Sequence, residues 1–318
     1  MAEIAVLGSI HMDLMVKLSR IPAKGETVIG GSFQVSPGGK GANQAVAVSR
    51  LGGQVAMIGR VGSDFFGDML VERLKSEKVD IRYVFRGEGD RTGVALILVD
   101  RRGNNVIAVA SGADESCSKD DVESAREAIS SAKVFLTQLE IPLATVEHAV
   151  SIAYRGEPLV VLNPAPARQL PKTLLEKVDV IVPNALEAYH LTGIRVHDVE
   201  TAIKAGKRLL RRGVAYALVT LGRKGVVVVS EEETTHLRGV KVRSVDATGA
   251  GDTFCGALAF GLARKMKIHE AAELANNAAA LATTKLGAQE AMPTLMELHN
   301  FMLSNGRARR LGRPLIQT

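Results

Sequence analysis

Asp246-Ala247-Thr248-Gly249-Ala250-Gly251-Asp252 joins a strand-like run, a glycine turn and the start of a helix, with a carboxylate at each end. Gly249 and Gly251 lack Cβ atoms, so the backbone N–H groups there can come close to a charged ligand. The helix that follows, 252 to about 264, carries Phe254, Leu258 and Gly261 on one face and aims the positive end of its dipole at that ligand. Asp252 then sits where an anion is favoured, which predicts an ionised carboxylate ready to take a proton from a hydroxyl. An ordinary glycine-rich turn with Asp252 as a helix cap is the alternative that this heptapeptide alone leaves open.

Upstream of the turn the chain alternates. Apolar runs at 4–7, 55–59, 134–136, 159–162, 178–182 and 217–220 read as strands, and helical patterns near 65–75, 120–131, 143–154, 184–191 and 200–212 separate them. Such alternation predicts a mostly parallel sheet with helices on both faces. Polar residues gather where the strands end: Asp13, Gln138 and Glu140, Asn163, Asn184 and Glu187, Thr220 and Gly222. Open α/β sheets bind ligands at that rim. A final hairpin is expected from 226–230 and 239–243, and two Ala-rich helices, 251–264 and 269–283, close the domain. Two stretches without helical periodicity interrupt the rhythm. In the first, Met15-Val16, 27–29 and Ser32-Phe33 suggest short antiparallel strands; in the second, 92–99 and 105–109 flank the turn Asp100-Arg101-Arg102-Gly103. Pairing of the two would make a small sheet acting as a lid. The expected organisation is an α/β body from 1–12, 36–91 and 110–300, a β lid from 13–35 and 92–109, and a basic tail from 301–318.

Two common nucleotide motifs are absent. The turn after 4–7 lacks Gly-x-Gly-x-x-Gly, so a dinucleotide-dependent dehydrogenase loses its main support. Pro37-Gly38-Gly39-Lys40-Gly41-Ala42-Asn43 is not a P-loop, because Gly41 stands where Ser or Thr is required. Lys40 and Asn43 instead set several donors beside a closely approaching backbone, which suits a polyhydroxylated ligand; a tight turn with a surface lysine is the competing reading.

The 318 residues are 46% hydrophobic and 23% charged, ordinary for a globular chain. A net charge of +6 suits anionic ligands, but the basic residues are scattered; only Arg307, Arg309, Arg310 and Arg313 cluster, and a solvated tail is the simplest reading of them. With 4% aromatics and no Trp there is little surface for stacking bases, so no nucleic-acid partner is expected. Cys117 and Cys255 show no metal-ligand spacing and no disulfide framework, and neither a signal segment nor a membrane span is read, so the expected setting is the cytoplasm.

Eight motifs, taken in order, are similar to one family. Gly8-Ser9-Ile10-x-x-Asp13, Gly25-Glu26-Thr27, Gly38-Gly39-Lys40-Gly41-Ala42-Asn43-Gln44-Ala45, Thr92-Gly93-Val94-Ala95, Asn163-Pro164-Ala165-Pro166-Ala167, Pro183-Asn184, Gly249-Ala250-Gly251-Asp252-Thr253-Phe254 and Gly287-Ala288-Gln289 resemble the ribokinase family of sugar and nucleoside kinases. The resemblance implies a three-layer α/β/α fold with a small β-sheet lid. It implies ATP-dependent phosphorylation of the terminal hydroxyl of a pentose, D-ribose to D-ribose 5-phosphate. Deoxyribose, a nucleoside or another small sugar is the alternative acceptor, and a catalytically silent nucleotide sensor is the alternative outside enzymes. By the same resemblance Asp252 is the base and the N–H groups of Gly249, Ala250 and Gly251 form the anion hole. His11, Asp13, Gly39, Lys40, Asn43, Glu140 and Asp252 bind the sugar; Asn184, Thr220, Gly222, Gly225, Asn276 and Asn277 bind ATP. Mg²⁺ lies near Asn184 and Glu187. Asp246, Thr248, Ala282, Lys285 and Gly287 would hold an activating K⁺, and the lid is expected to pair into a homodimer.

Three positions depart from the family pattern. His11 stands where members usually have Asn, which opens the choice of acceptor. Ala291 replaces a Ser whose oxygen helps to hold K⁺. The usual Asn-Glu-x-Glu becomes Asn184-Ala185-Leu186-Glu187, so one carboxylate is missing.

Overall fold

The computed structural model describes residues 2–87 and 89–308. Among them a nine-stranded sheet forms the centre, built from β1 (Ile4–Leu7), β4 (Val55–Gly62), β5 (Asp80–Gly87), β8 (Val134–Thr137), β9 (Leu159–Leu162), β10 (Val180–Ile181), β11 (Tyr216–Thr220), β12 (Gly225–Val229) and β13 (Thr234–Arg238). Its order is β13-β12-β11-β10-β9-β8-β1-β4-β5, parallel except for the two pairs that involve β12. β1 shows why the sheet has two covered faces. Ile4 and Val6 enter one apolar core, Ala5 and Leu7 the other, and all four are fully buried.

On the first face pack α1 (Lys40–Arg50), α2 (Phe65–Ser76), α9 (Ala250–Ala263), α10 (Ile268–Ala282) and α11 (Leu295–Ser304). The second face carries α3 (Lys119–Ser124), α4 (Arg126–Ser130), α5 (Leu143–Tyr154), α6 (Lys172–Leu175), α7 (Ala185–Thr192) and α8 (Val199–Leu210). The expected α/β/α layering is therefore present. None of the described helices is long and apolar enough to cross a membrane.

A second, four-stranded sheet has the order β3-β2-β6-β7, from β2 (His11–Lys17), β3 (Phe33–Gly38), β6 (Gly93–Val99) and β7 (Asn105–Ala110). The two insertions pair through β2 and β6, which run parallel, His11 opposite Gly93, so this sheet is not antiparallel throughout. Residues 27–29 form no strand, and Ile29 is 93% exposed. Pro22, Gly25 and the Gly30-Gly31 pair, with the Arg20–Glu26 ion pair, keep that stretch as a loop.

Other boundaries shift for local reasons. The helix expected over 120–131 is two, with Ala125 ending α3 and starting α4; a capping box of Ser118 and Asp121 sets the start of the short α3. The last hairpin pairs β12 with 234–238 rather than 239–243, because the acidic run Glu231-Glu232-Glu233 makes the turn, with the Ser230 N–H donating to the Glu233 carbonyl. Residues 239–242 are thereby freed to line a cleft. The reading of a solvated basic tail also changes. Arg307 is fastened to the body, donating to the Arg238 carbonyl and to Glu273 Oε1, the latter at 3.0 Å; Arg309, Arg310 and Arg313 lie outside the described residues.

Candidate active site

Asp252 lies in the first turn of α9, and a close helix contact decides where it points. A Cβ at Gly256 would come within 2.6 Å of Ala47 Cβ and 2.7 Å of the Gln44 carbonyl, so α9 can lie tightly on α1 only with glycine there. That contact brings Asp252 onto Asn43 and Gln44. Gln44 Nε2 donates to Asp252 Oδ1 at 3.1 Å and Asn43 Nδ2 to Oδ2 at 3.0 Å. Both amides are themselves oriented: Gln138 Nε2 donates to Gln44 Oε1 at 2.7 Å, and Gln289 Nε2 to Asn43 Oδ1 at 3.1 Å. With their oxygens engaged as acceptors, the NH₂ groups must face the carboxylate.

The electrostatics of Asp252 differ from the expectation drawn from the helix dipole. Burial pushes its carboxyl above the usual range, and the charge of Lys40 and the two amide donors offset this only in part. A carboxylate so raised is a stronger base than a solvated one, which suits proton abstraction near neutral pH.

Before Asp252 the backbone turns through Gly249, left-handed at φ 71°, which caps α9 without a side chain. The first N–H groups of a helix have no intrahelical acceptor, and those of Gly249 and Gly251 have none elsewhere among the described residues. The Ala250 N–H donates to the Ala247 carbonyl at 3.2 Å, so within this turn it is already engaged.

The expected sugar residues meet beside Asp252, at the root of the small sheet. Gly39, at φ 88°, starts α1 so close to β2 that a Cβ would lie 2.6 Å from the Ser9 carbonyl and 2.9 Å from the His11 nitrogen. Lys40 follows, its N–H donating to Glu140 Oε2 at 3.1 Å and its ammonium 3.6 Å from Glu140 Oε1. The Ser9 hydroxyl donates to the same carboxylate at 2.5 Å. Burial alone would raise Glu140, but the charges of Lys40 and His11 and these hydrogen bonds hold it below its ordinary value. Lys40 is held above its own, as Asp252, Glu140 and Glu187 outweigh its burial. Asp13 is pushed up to about 6 by burial, which His11 opposes. Burial would lower His11, yet the hydrogen bond and charge of Asp114, with Glu140 and Asp13, hold it above its usual value.

On the other side of the Gly249–Gly251 turn opens a cleft of about 420 Å³. Thr220, Gly222, Gly225, Gly239, Val240, Ala250, Gly251, Phe254, Asn276, Ala279 and Ala280 are among its walls. Of the residues expected there for a nucleotide, Thr220, Gly222, Gly225 and Asn276 line it, the Asn276 amide donating to the Arg238 carbonyl at 2.9 Å. Asn277 does not. It is fully buried one step round α10, with Nδ2 donating to the Glu273 carbonyl. Asn184 stands behind the cleft, bridged to Thr220 and capping α7.

Asn184 and Glu187 form a reciprocal capping box: the Asn184 oxygen accepts from the Leu186 and Glu187 N–H groups, and Glu187 accepts from the Asn184 N–H and amide. Glu187 is pushed up to about 7 by burial, with the Asn184 N–H and Lys40 opposing. Asp246 ties two loops together, accepting from Thr248 N–H and hydroxyl and from Gly287 N–H at 3.0 Å. Burial would raise its carboxyl, but these bonds hold it below the ordinary range. The Lys285 N–H donates to the Ala282 carbonyl, the Val245 and Asp246 N–H groups donate to the Thr283 carbonyl between them, and Ala291 is fully buried and offers no side-chain oxygen.

Four contributors to the site were not among the expected site residues, although Gln138 stood in the polar rim and Gln44 and Gln289 within motifs. Gln44 was legible only as the neighbour of Asn43 in a glycine-rich motif. Gln138 and Gln289 act on it and on Asn43 from distant loops, and Asp114, 1% exposed beneath His11, follows the second lid insertion with no spacing that connects it to residue 11.

A family model described as pfkB family carbohydrate kinase matches residues 1–295. The chain is 39% identical over 299 residues to a ribokinase from Haemophilus influenzae, covering 94% of this chain and 98% of that one. It is 34% identical over 304 residues to a deoxyribokinase from Salmonella typhi, covering 95% and 99%. The structure of an Arabidopsis thaliana ribokinase complexed with ribose and ATP superposes with a TM-score of 0.87 at 30% identity, covering 95% of this chain and 98% of that one. Match, identity and fold agree with the site: this chain is an ATP-dependent sugar kinase and belongs to the pfkB family of carbohydrate kinases.

Proposed function

We propose that the chain transfers the γ-phosphoryl group of ATP to the terminal hydroxyl of a pentose, converting D-ribose to D-ribose 5-phosphate. One observation carries this reading: Asp252 and its glycine turn form the wall between a charged, hydrogen-bonding cradle and a glycine-lined cleft of nucleotide size. An acceptor held in the cradle would present its hydroxyl to Asp252, with the γ-phosphate across the turn. The ribokinase relatives, and the complex of one with ribose and ATP, support ribose as that acceptor.

In this mechanism Asp13, Lys40, Asn43 and Glu140 hold the sugar hydroxyls, and Asp252 takes the proton of the terminal hydroxyl as its oxygen attacks the γ-phosphorus. The N–H groups of Gly249 and Gly251, at the positive end of α9, stabilise the charge on the transferring group; Ala250 would join them after giving up its bond to Ala247. Lys40, coupled to Asp252, Glu140 and Glu187, offsets the charge of the approaching phosphates. Thr220, Gly222, Gly225 and Asn276 shape the nucleotide cleft. The small sheet, 13–35 and 92–109, covers the sugar and keeps water from competing as acceptor.

The donor sets suit two cations. Glu187 is a buried carboxyl whose ionised form gains from a nearby positive charge, so Asn184 and Glu187 fit an outer role toward Mg²⁺ and its waters. A Mg²⁺ ion near Asn184 and Glu187 would supply positive charge against the phosphates of ATP. The ionised Asp246 and the loop carbonyls around Thr248, Ala282, Lys285 and Gly287 fit a monovalent cation, K⁺, without the oxygen that Ala291 lacks. A homodimer through the small sheet agrees with its uncovered apolar side chains: Phe33, Leu96, Val106, Ile107 and Val109 are each more than half exposed.

A coupled ADP-release assay on ribose, 2-deoxyribose, fructose and nucleosides, with and without K⁺, tests the proposal. Preferred turnover of ribose supports it; no turnover across the panel overturns it. Deoxyribose is the second reading, favoured by His11 and by the deoxyribokinase relative.

A further inference from the structure

We infer that Asp114 is a positioning residue for the acceptor: it holds Nδ1 of His11 and so presents Nε2 to the sugar cradle beside Asp13. The inference rests on the pentose-kinase reading and names a specificity element within it. Asp114 closes the turn Gly112–Asp114, which follows β7 where the chain leaves the small sheet, and His11 opens β2 where the chain enters it. The start of the first insertion and the end of the second therefore meet under the sugar cradle.

Both oxygens of Asp114 are committed. Oδ1 accepts the Ile10 N–H at 2.7 Å, and Oδ2 lies 3.1 Å from His11 Nδ1. The two side chains are 1% and 7% exposed, so neither is oriented by solvent. Gly93, opposite His11 in the strand register, leaves the space for this contact. A Cβ there would stand 2.9 Å from both Asp114 Oδ2 and His11 Cβ. The ring is thus held from one side and packed from the other.

The chemistry of the pair follows from burial. A lone carboxylate in this place is costly, and the proton on Nδ1 is what Asp114 binds. Nε2 then faces Asp13 Oδ1 at 3.7 Å, beyond hydrogen-bond length, which leaves it free to donate to an acceptor hydroxyl lying against Asp13. The charged groups that face the ring are Asp114, Glu140 and Asp13, all acidic, so the second ring proton is favoured as well. His11 becomes a donor at both nitrogens. The hydroxyl it meets must accept from His11 and can donate to Asp13. An acceptor without that hydroxyl would strand a buried charged donor, which makes the pair a determinant of choice among similar sugars.

The test is a double-mutant cycle on ribose phosphorylation with Asp114→Asn, His11→Asn and the double variant. Asp114→Asn keeps an oxygen for the Ile10 N–H. It is expected to raise the KM for ribose at least tenfold, several times more than it lowers kcat, with the KM for ATP within twofold of wild type. In the His11→Asn background the same change is expected to raise the KM for ribose less than threefold. An equal factor in both backgrounds, or no change in the KM for ribose, overturns the inference while leaving the pentose reading intact. A wild type that phosphorylates nothing on the panel removes that reading and this inference together. Should a variant fold poorly, ¹⁵N NMR of the wild-type imidazoles at neutral pH, assigned by the resonance that His11→Asn removes, is decisive: His11 protonated at both nitrogens supports the inference, and a neutral ring overturns it.

Discussion

The two halves of the cleft are built on opposite principles. On the sugar side, His11, Asp13, Lys40, Glu140 and Asp252 place five ionisable groups in a buried region, each tied by a neighbour of the opposite charge or by an amide. On the nucleotide side glycines and small apolar side chains such as Gly222, Gly225, Gly239, Val240, Ala279 and Ala280 make much of the wall, and its charged members, Arg223 and Lys241, are both cations. A polyol can be distinguished from its relatives only by the placement of hydroxyls, and fixed charged partners penalise a missing one heavily. A flat base is recognised by shape, which small side chains provide at little cost in desolvation. On the proposed assignment, sugar discrimination is concentrated in a few buried charged groups, whereas nucleotide affinity is spread over many small contacts.

The largest test of this contrast is Asp252→Asn. It keeps the size of the side chain but offers one acceptor where Asp252 offers two to Asn43 and Gln44, and it removes the proposed base, so kcat is expected to fall about 10²- to 10⁴-fold while ATP binding measured by calorimetry persists. Loss of ATP binding to the same degree would show that the two halves are not separable at this residue.

Asp13→Asn probes the cost of the sugar side. The Asp13 carboxyl is raised from 3.8 to about 6 in the folded chain, the opposing charge of His11 included, which sets about 3 kcal/mol against the folded state at neutral pH. A neutral amide in its place is therefore expected to stabilise the folded chain by up to about 3 kcal/mol. The folded chain holds the extra proton between those two values, so wild-type stability falls as pH rises through that window and the variant's does not. The gain in Tm should therefore be full above about pH 6 and vanish below about pH 4, with ribose turnover reduced throughout. A variant less stable than wild type at pH 7.5 would show that Asp13 is a structural asset instead.

Ala279→Phe fills the nucleotide cleft. The KM for ATP should rise about tenfold, roughly 1.4 kcal/mol, with the KM for ribose within twofold. A comparable rise for ribose would break the division between the halves. Asn276→Ala is the smallest expected effect, a KM for ATP raised about two- to fivefold, the scale of one neutral hydrogen bond. A hundredfold rise would mean that a single polar group, rather than shape, holds the base.

The same contrast explains what could be read from the sequence. The layered fold was legible because apolar runs such as 134–136 and 159–162 leave no alternative to burial on both faces, and the glycine turn before α9 was legible because its backbone needs no side chain. The charged cradle was legible residue by residue but not in its bonding. Asp252 reads as an anion favoured by a helix end; only the packing of α9 on α1 shows that burial wins. Asn276 and Asn277 cannot be told apart until the rotation of α10 puts one on the cleft and the other against Glu273. Asp114 could not be assigned at all, because its partner is brought to it by the register of β2 and β6.

The order of strands in the large sheet bears on how the chain is made. β9 through β13 each pair with the strand produced immediately before, so during synthesis the sheet can extend along one edge with every neighbour already in place. Lys40, Asn43 and Gln44 belong to the first part of the chain to leave the ribosome, Glu140 to the middle, and α9 with Asp252 comes only after the last strand. Lys40, Asn43, Gln44 and Glu140 are thus synthesised before Asp252, and an incomplete nascent chain lacks the proposed base with which to spend ATP.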